Sequence, residues 1–243
     1  QRGASHQGRL RVFGLAAFLA AILGAGLLWL PTAIARYTAS LVPDGARAEI
    51  GARLRNEVYR VTGTPCSNPA ALRAISKLQD RLFPDRGVTL VVLPSALADT
   101  AHLPGGTILI GHKLVEDHET PQVLAGFLLA EDLRRNSGDP MEGVLANAGL
   151  VAALRLLTSG KLGDEALRRH AETLISAEAV PVPDTRLIAS MASAGVSPAQ
   201  YAYARDFSGE STLPLIEASQ SVGETSPVLE DGDWIALQRI CEG

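Results

Sequence analysis

The residue with the clearest chemical meaning in this chain is Glu131, set in Ala130-Glu131-Asp132-Leu133-Arg134. A helix that activates water with zinc carries His-Glu-x-x-His. The two histidines, at i and i+4, share one face and grip one ion, and the glutamate between them takes the proton. Here the two ligand places hold Ala130 and Arg134. Alanine has no donor atom, and a guanidinium that stays protonated repels a cation. Only Glu131 remains, and without metal the water it would deprotonate keeps a pKa near that of bulk. The simpler reading of Glu131 is an ion pair with Arg134 or Arg135 at helical spacing.

Other candidates for metal or nucleophile chemistry are weaker. His102, His112 and His118 fall close together with Asp117 and Glu119 beside them. Their spacing fits no standard ligand pattern, and they read as solvated polar residues beside a cleft. His170 follows Arg168-Arg169 and reads as part of a polar helical face. No motif pairs a serine or cysteine nucleophile with a histidine. The expectation is therefore no metal and no cofactor.

The elements that must position these residues are mostly helical. Pro43-Asp44 opens a helix with Ile50, Leu54 and Val58 at four-residue spacing, broken at Thr62-Gly63-Thr64-Pro65. Asn68-Pro69 is a cap followed by a first-turn proline, and Leu72, Ile75, Leu78 and Leu82 are expected to form the buried stripe. Val88 to Leu93 is apolar and β-branched, so a strand, and Leu103 to Ile110 reads as a second strand region bent at Pro104-Gly105-Gly106. Thr120-Pro121 starts the helix that carries Glu131. Met141 to Leu157 reads as one long helix and Asp164 to Ala179 as another, followed by the extended Val180-Pro181-Val182-Pro183. Short helices after Asp184 and Ser197-Pro198, and from Asp233 to Ile240, complete an α+β domain, mainly helical with a small sheet.

The 243 residues and 47% hydrophobic content suffice for one domain of ordinary core size plus an anchor. A net charge of −4 offers no basic footprint for nucleic acid. An unbroken apolar run from Val12 to Leu30 spans roughly 28 Å as a helix, about one hydrocarbon core. Trp29 and Tyr37 sit where interfacial rings are favoured, and Arg2, Arg9 and Arg11 precede the run. The expected organisation is a cytoplasmic stub at 1–11, a transmembrane anchor at 12–35 and an extracytoplasmic domain at 44–243, as on the periplasmic side of a bacterial inner membrane. A signal peptide cleaved near Thr38-Ala39-Ser40 is the rival. The only cysteines, Cys66 and Cys241, are either one disulfide or two separate thiols, and an oxidising compartment favours the bridge.

Taken in order, His102-Leu103-Pro104-Gly105-Gly106, Val123-Leu124-Ala125-Gly126-Phe127-Leu128-Leu129-Ala130-Glu131, Asp139-Pro140 and the tail Asp233 to Cys241 resemble the HtpX/Oma-type membrane-associated zinc metallopeptidases (peptidase family M-48, gluzincins). The resemblance runs roughly from Pro43 to the C-terminus. It implies a metallopeptidase fold in which Glu131 matches the general base. The two histidine ligands fall on Ala130 and Arg134, and the third ligand on Val182 between two prolines. It also implies that Cys66 and Cys241 pair. No catalytic residue is then expected. The strand after Gly106 is expected to be a sheet edge, with Leu103, Pro104, Gly105, Gly106, Thr107 and Ile108 available to an extended peptide by strand addition. The leading expectation is a catalytically inactive pseudo-peptidase, tethered to the membrane, that binds protein or peptide or serves as a subunit of a membrane complex. A metalloendopeptidase with an altered site is the alternative.

Overall fold

The computed structural model describes residues 15–20, 24, 33–84, 86–220 and 227–242. The 1–11 stub and most of the 12–35 anchor lie outside the described residues. Among those described, no single helix is long and apolar enough to cross a membrane.

Residues 33–41 are helical and lead into α1 (Asp44–Thr62) and α2 (Pro69–Leu82). α2 starts where the sequence places a cap: the Asn68 side chain accepts from the Ala70 and Ala71 amides, and Pro69 fills the first turn. Three strands follow, β1 (Thr89–Leu93), β2 (Thr100–His102) and β3 (Thr107–Gly111). The helices α3 (Lys113–Glu116), α4 (Pro121–Ser137), α5 (Pro140–Ala148), α6 (Leu150–Ser159) and α7 (Asp164–Ser176) come next. An extended segment then precedes α8 (Asp184–Ser193), α9 (Pro198–Arg205), α10 (Leu213–Ser219) and α11 (Asp231–Gln238). The α+β class expected from the sequence holds.

The strand order is β1-β3-β2, with β1 parallel and β2 antiparallel to β3. Because strand side chains alternate between faces, Leu90, Val92, Ile108 and Ile110 point one way, into a core with α2, α4, α8, α9 and α11. Ala101, Leu103, Leu109 and Leu93 point the other way, into a core with residues 35–42, α1, α5, α6 and α7. The sheet is thus sandwiched between two helical layers.

Three expectations need correction here. The strand after Gly106 is β3, which is the central strand, paired on both sides and buried throughout, so it is no edge. Sequence pattern reveals apolar runs but not strand order, and β2, only three residues long, was too short to register as a strand. The Met141–Leu157 helix is two helices, α5 and α6, bent by 115° at Gly149, whose φ of 83° no α-helix adopts. Finally, His170 is buried inside the α1/α5 side of the core instead of lying on a polar face.

The Pro104-Gly105-Gly106 turn packs directly on α1. A Cβ on Gly51 would lie 1.9 Å from the Pro104 carbonyl oxygen, so the helix can approach the turn only through glycine. Gly106 has a φ of 90°, and its carbonyl accepts from the Thr89 amide at 3.0 Å. The glycines serve turn geometry and packing. A disulfide joins Cys66 to Cys241, with Cα atoms 4.7 Å apart across 175 residues of sequence.

Candidate functional site

The α4 helix begins at Thr120, whose hydroxyl accepts from the Gln122 amide, with Pro121 in the first turn. From Val123 to Asp132 every residue is buried, as expected of a helix enclosed by a sheet on one side and other helices around it. Tyr201 of α9 lies against Gly126, where an added Cβ would sit 2.6 Å from the tyrosine side chain. Its ring meets Phe127 edge-on at 4.9 Å. This packing fixes the rotation of α4 and hence where its C-terminal half delivers Glu131.

Thr100 and His102 are two residues apart on β2, so both side chains face α4. The His102 ring donates from Nδ1 to Glu131 Oε1 at 2.6 Å, and the Thr100 hydroxyl donates to Oε2 at 2.8 Å. Arg134, one turn along the helix, donates from Nη1 to the same Oε2 at 2.6 Å. Only 3% of the Glu131 side chain is exposed and 9% of Arg134. Burial alone would raise the Glu131 pKa. The His102 hydrogen bond and charge, the Arg134 charge and the Thr100 hydroxyl outweigh it and hold the carboxyl below its ordinary range. Arg134 is itself tied down, donating from Nε to the Val180 carbonyl at 2.7 Å. The neighbouring Asp132 forms a second buried pairing, with Arg86 at 2.8 Å and Arg135 at 2.7 Å.

A cleft of about 270 Å³ opens beside this cluster, walled by His102, Glu131, Arg134, Leu174, Val180 and Val182 among others. It continues past Thr100 into a second hollow of about 700 Å³ between residues 97–100 and 175–181. The ion pair of Arg205 with Asp99, at 3.2 Å, stands beside this second hollow. Together they form a groove running along β2, with the extended 177–183 segment as the opposite wall.

The backbone of β2 faces this groove. Leu103 donates to Thr107 and Gly111 donates to Asp99, so the hydrogen-bonded pairs with β3 fall on alternate residues 99, 101 and 103. The N–H and C=O groups of Thr100 and His102 therefore turn away from β3, toward the cleft. The free edge is β2, one strand over from the expected position.

The remaining sequence candidates separate clearly. Ala130 is fully buried in the core among Leu128, Leu129 and their neighbours and does not line the cleft. Arg134 and Val182 do line it, on either side of Glu131. These three positions do not fit a zinc ion: one lacks a donor and faces the core, one is a cation bonded to Glu131, and one is aliphatic. Among the described residues no group of three or more His, Cys, Asp or Glu is arranged to hold a metal. Leu103, Pro104, Thr107 and Ile108 are buried, while Gly105 and Gly106 sit between α1 and residue 87. None of the six lines the groove. His118 supplies a carbonyl to Gln238, and His112 precedes α3; neither lines the groove. The residues that sequence reasoning missed are Thr100 and His102 as the partners of Glu131. Their two-residue spacing just before the turn was the available signal, since it puts a hydroxyl and an imidazole on one strand face.

The chain matches no protein-family model and no curated protein.

Proposed function

We propose that this protein is a membrane-tethered, extracytoplasmic domain that holds an extended polypeptide in the groove beside β2 without cutting it. The observation that carries the reading is the free edge of β2 turned toward the groove, offering the backbone groups of Thr100 and His102 to a strand laid alongside. The apolar wall of Leu174, Val180, Pro181 and Val182 suits alternate side chains of such a segment. The resemblance to gluzincin peptidases fits a groove built for polypeptide.

The same geometry speaks against peptidase chemistry. Glu131, the only residue that survives from the water-activating motif, has both oxygens engaged by His102, Thr100 and Arg134. A carboxylate held ionised by three cationic or donor side chains is a poor base toward ordinary water. The alternative of an altered metalloendopeptidase needs three ligands, and Ala130, Arg134 and Val182 supply none.

The test is binding of reduced, alkylated casein to the detergent-solubilised full chain, with Val180→Glu as the variant. Val180 is exposed in the cleft wall, so the substitution leaves the core intact. Casein is expected to bind and stay whole, and Val180→Glu to weaken binding about tenfold, the value of one buried aliphatic side chain. Failure of the native chain to bind, or equal binding by the variant, overturns the reading.

A further inference from the structure

We infer that α6 lies on the lipid bilayer, its outward face seated among the headgroups and upper acyl chains beside the point where the chain enters the membrane. The inference rests on the anchor reading for Val12–Leu30 and goes beyond it by assigning a second contact to the folded domain.

α6 is apolar apart from Arg155 and the C-terminal Thr158 and Ser159. Its inward face, Ala153 and Leu156, is buried with Ala35 and Ala39 of the 33–41 helix. Its outward face presents Leu150, Val151, Leu154 and Leu157, all exposed, Val151 by 80%. Those positions fall at i, i+1, i+4 and i+7, a single stripe. Elsewhere in the domain exposed large apolar side chains are mostly single, which needs no explanation. Four on one ten-residue helix do need one.

The location identifies the occupant. The 33–41 helix, which shares this core cluster with α6, follows the apolar N-terminal run in sequence and exposes Tyr37 and Leu41 of its own. It is tied to this side of the domain by Arg36 to Glu142 at 3.4 Å, and by Arg47, which bonds both the Ala39 carbonyl and Asp139. The unpartnered face therefore belongs to the same helical layer as the predicted membrane entry. The 115° bend at Gly149 turns α6 out of line with α5, so that α6 forms a short surface arm instead of extending the core helix. The sole charge within α6 is Arg155, a cation whose long stem lets its head reach anionic phosphates while the helix lies in the interface.

The experiment uses the full chain reconstituted into phosphatidylethanolamine/phosphatidylglycerol vesicles. Single variants Phe18→Cys, Val151→Cys, Leu154→Cys and Ser76→Cys each carry an environment-sensitive fluorophore, the native cysteines being held in their disulfide. All four positions are exposed, so labelling leaves the fold intact. The expected result is blue-shifted emission, quenched by brominated lipid, at positions 18, 151 and 154, with water-like emission at 76 on the opposite helical layer. Lipid quenching at 18 but water-like emission at 151 and 154 overturns the inference and leaves the anchor standing. Water-like emission at all four overturns both. Protection at 151 and 154 without lipid quenching assigns the face to another protein surface and also overturns the inference.

Discussion

His102 Nδ1 lies 2.6 Å from Glu131 Oε1, which joins the last residue of the edge strand to the one position of α4 that the water-activating pattern leaves intact. With Arg134 at 2.6 Å on the other oxygen, the carboxylate is a structural junction between sheet and helix. Cutting one arm of such a buried pair strands a charge. Arg134→Leu is therefore expected to destabilise the fold by about 3–5 kcal/mol. Adding Glu131→Gln should recover part of that loss, because the two changes share one interaction. Urea unfolding of the two single variants and the double variant measures both. An Arg134→Leu cost within the range of a surface substitution would contradict the role assigned to the pair.

Acid should weaken the fold in two stages. His170 is buried against Asn147, and burial, with a smaller contribution from the charge of His102, lowers its pKa to about 4. The unfolded chain, with the ordinary value of 6.5, binds the proton first, so stability is full above pH 6.5 and falls as pH drops toward 4. The full depression corresponds to about 3 kcal/mol. Glu131, held below its ordinary value, contributes stability that is present above the unfolded carboxylate range and is lost as pH falls through its folded pKa. His170→Gln should flatten the upper stage and leave the lower one. Urea midpoints measured from pH 8 down to about pH 2, below the lowered carboxyl pKa, check this, and an unchanged slope between about pH 7 and pH 4 in His170→Gln would refute it.

The Cys66–Cys241 disulfide closes most of the domain into one loop, so its main action is on the unfolded chain. In the folded state α11 is also held by Trp234 Nε1 donating to the Glu119 carbonyl, by Gln238 donating to the His118 carbonyl and by Lys77 with Asp233. Cys66→Ser should therefore lower stability by about 2–5 kcal/mol while helix content by circular dichroism stays native. Loss of helical signal at room temperature would show that the bridge holds α11 in place.

Much of the scaffold was legible in the sequence because it rests on local rules. The Asn68 cap, the Ile75, Leu78 and Leu82 stripe of α2 (though Leu72, expected in it, is exposed), the Thr120-Pro121 start of α4 and the Pro181/Pro183 interruption each follow from residues a few positions apart. The candidate site was half legible. Glu131 and Arg134 are one helical turn apart, so their pairing follows from spacing. Their link to Thr100 and His102 depends on β3 taking the middle of the sheet, which long-range packing decides. Gly149 was ambiguous for the same reason: a glycine in an Ala/Leu-rich run is tolerated or breaks the helix according to what the next turn packs against. The burial of His170 likewise depends on α7 lying against α1 and α5, which no local pattern encodes.

The claim that this is a groove for polypeptide without zinc-dependent cleavage is tested most directly by metal analysis of the purified full chain, paired with a casein digest in added zinc. The expected result is no stoichiometric zinc and intact casein, because the positions that the resemblance implies for ligands hold Ala130, Arg134 and Val182 and the Glu131 carboxylate is engaged. One equivalent of zinc together with cleavage that a chelator abolishes would contradict it.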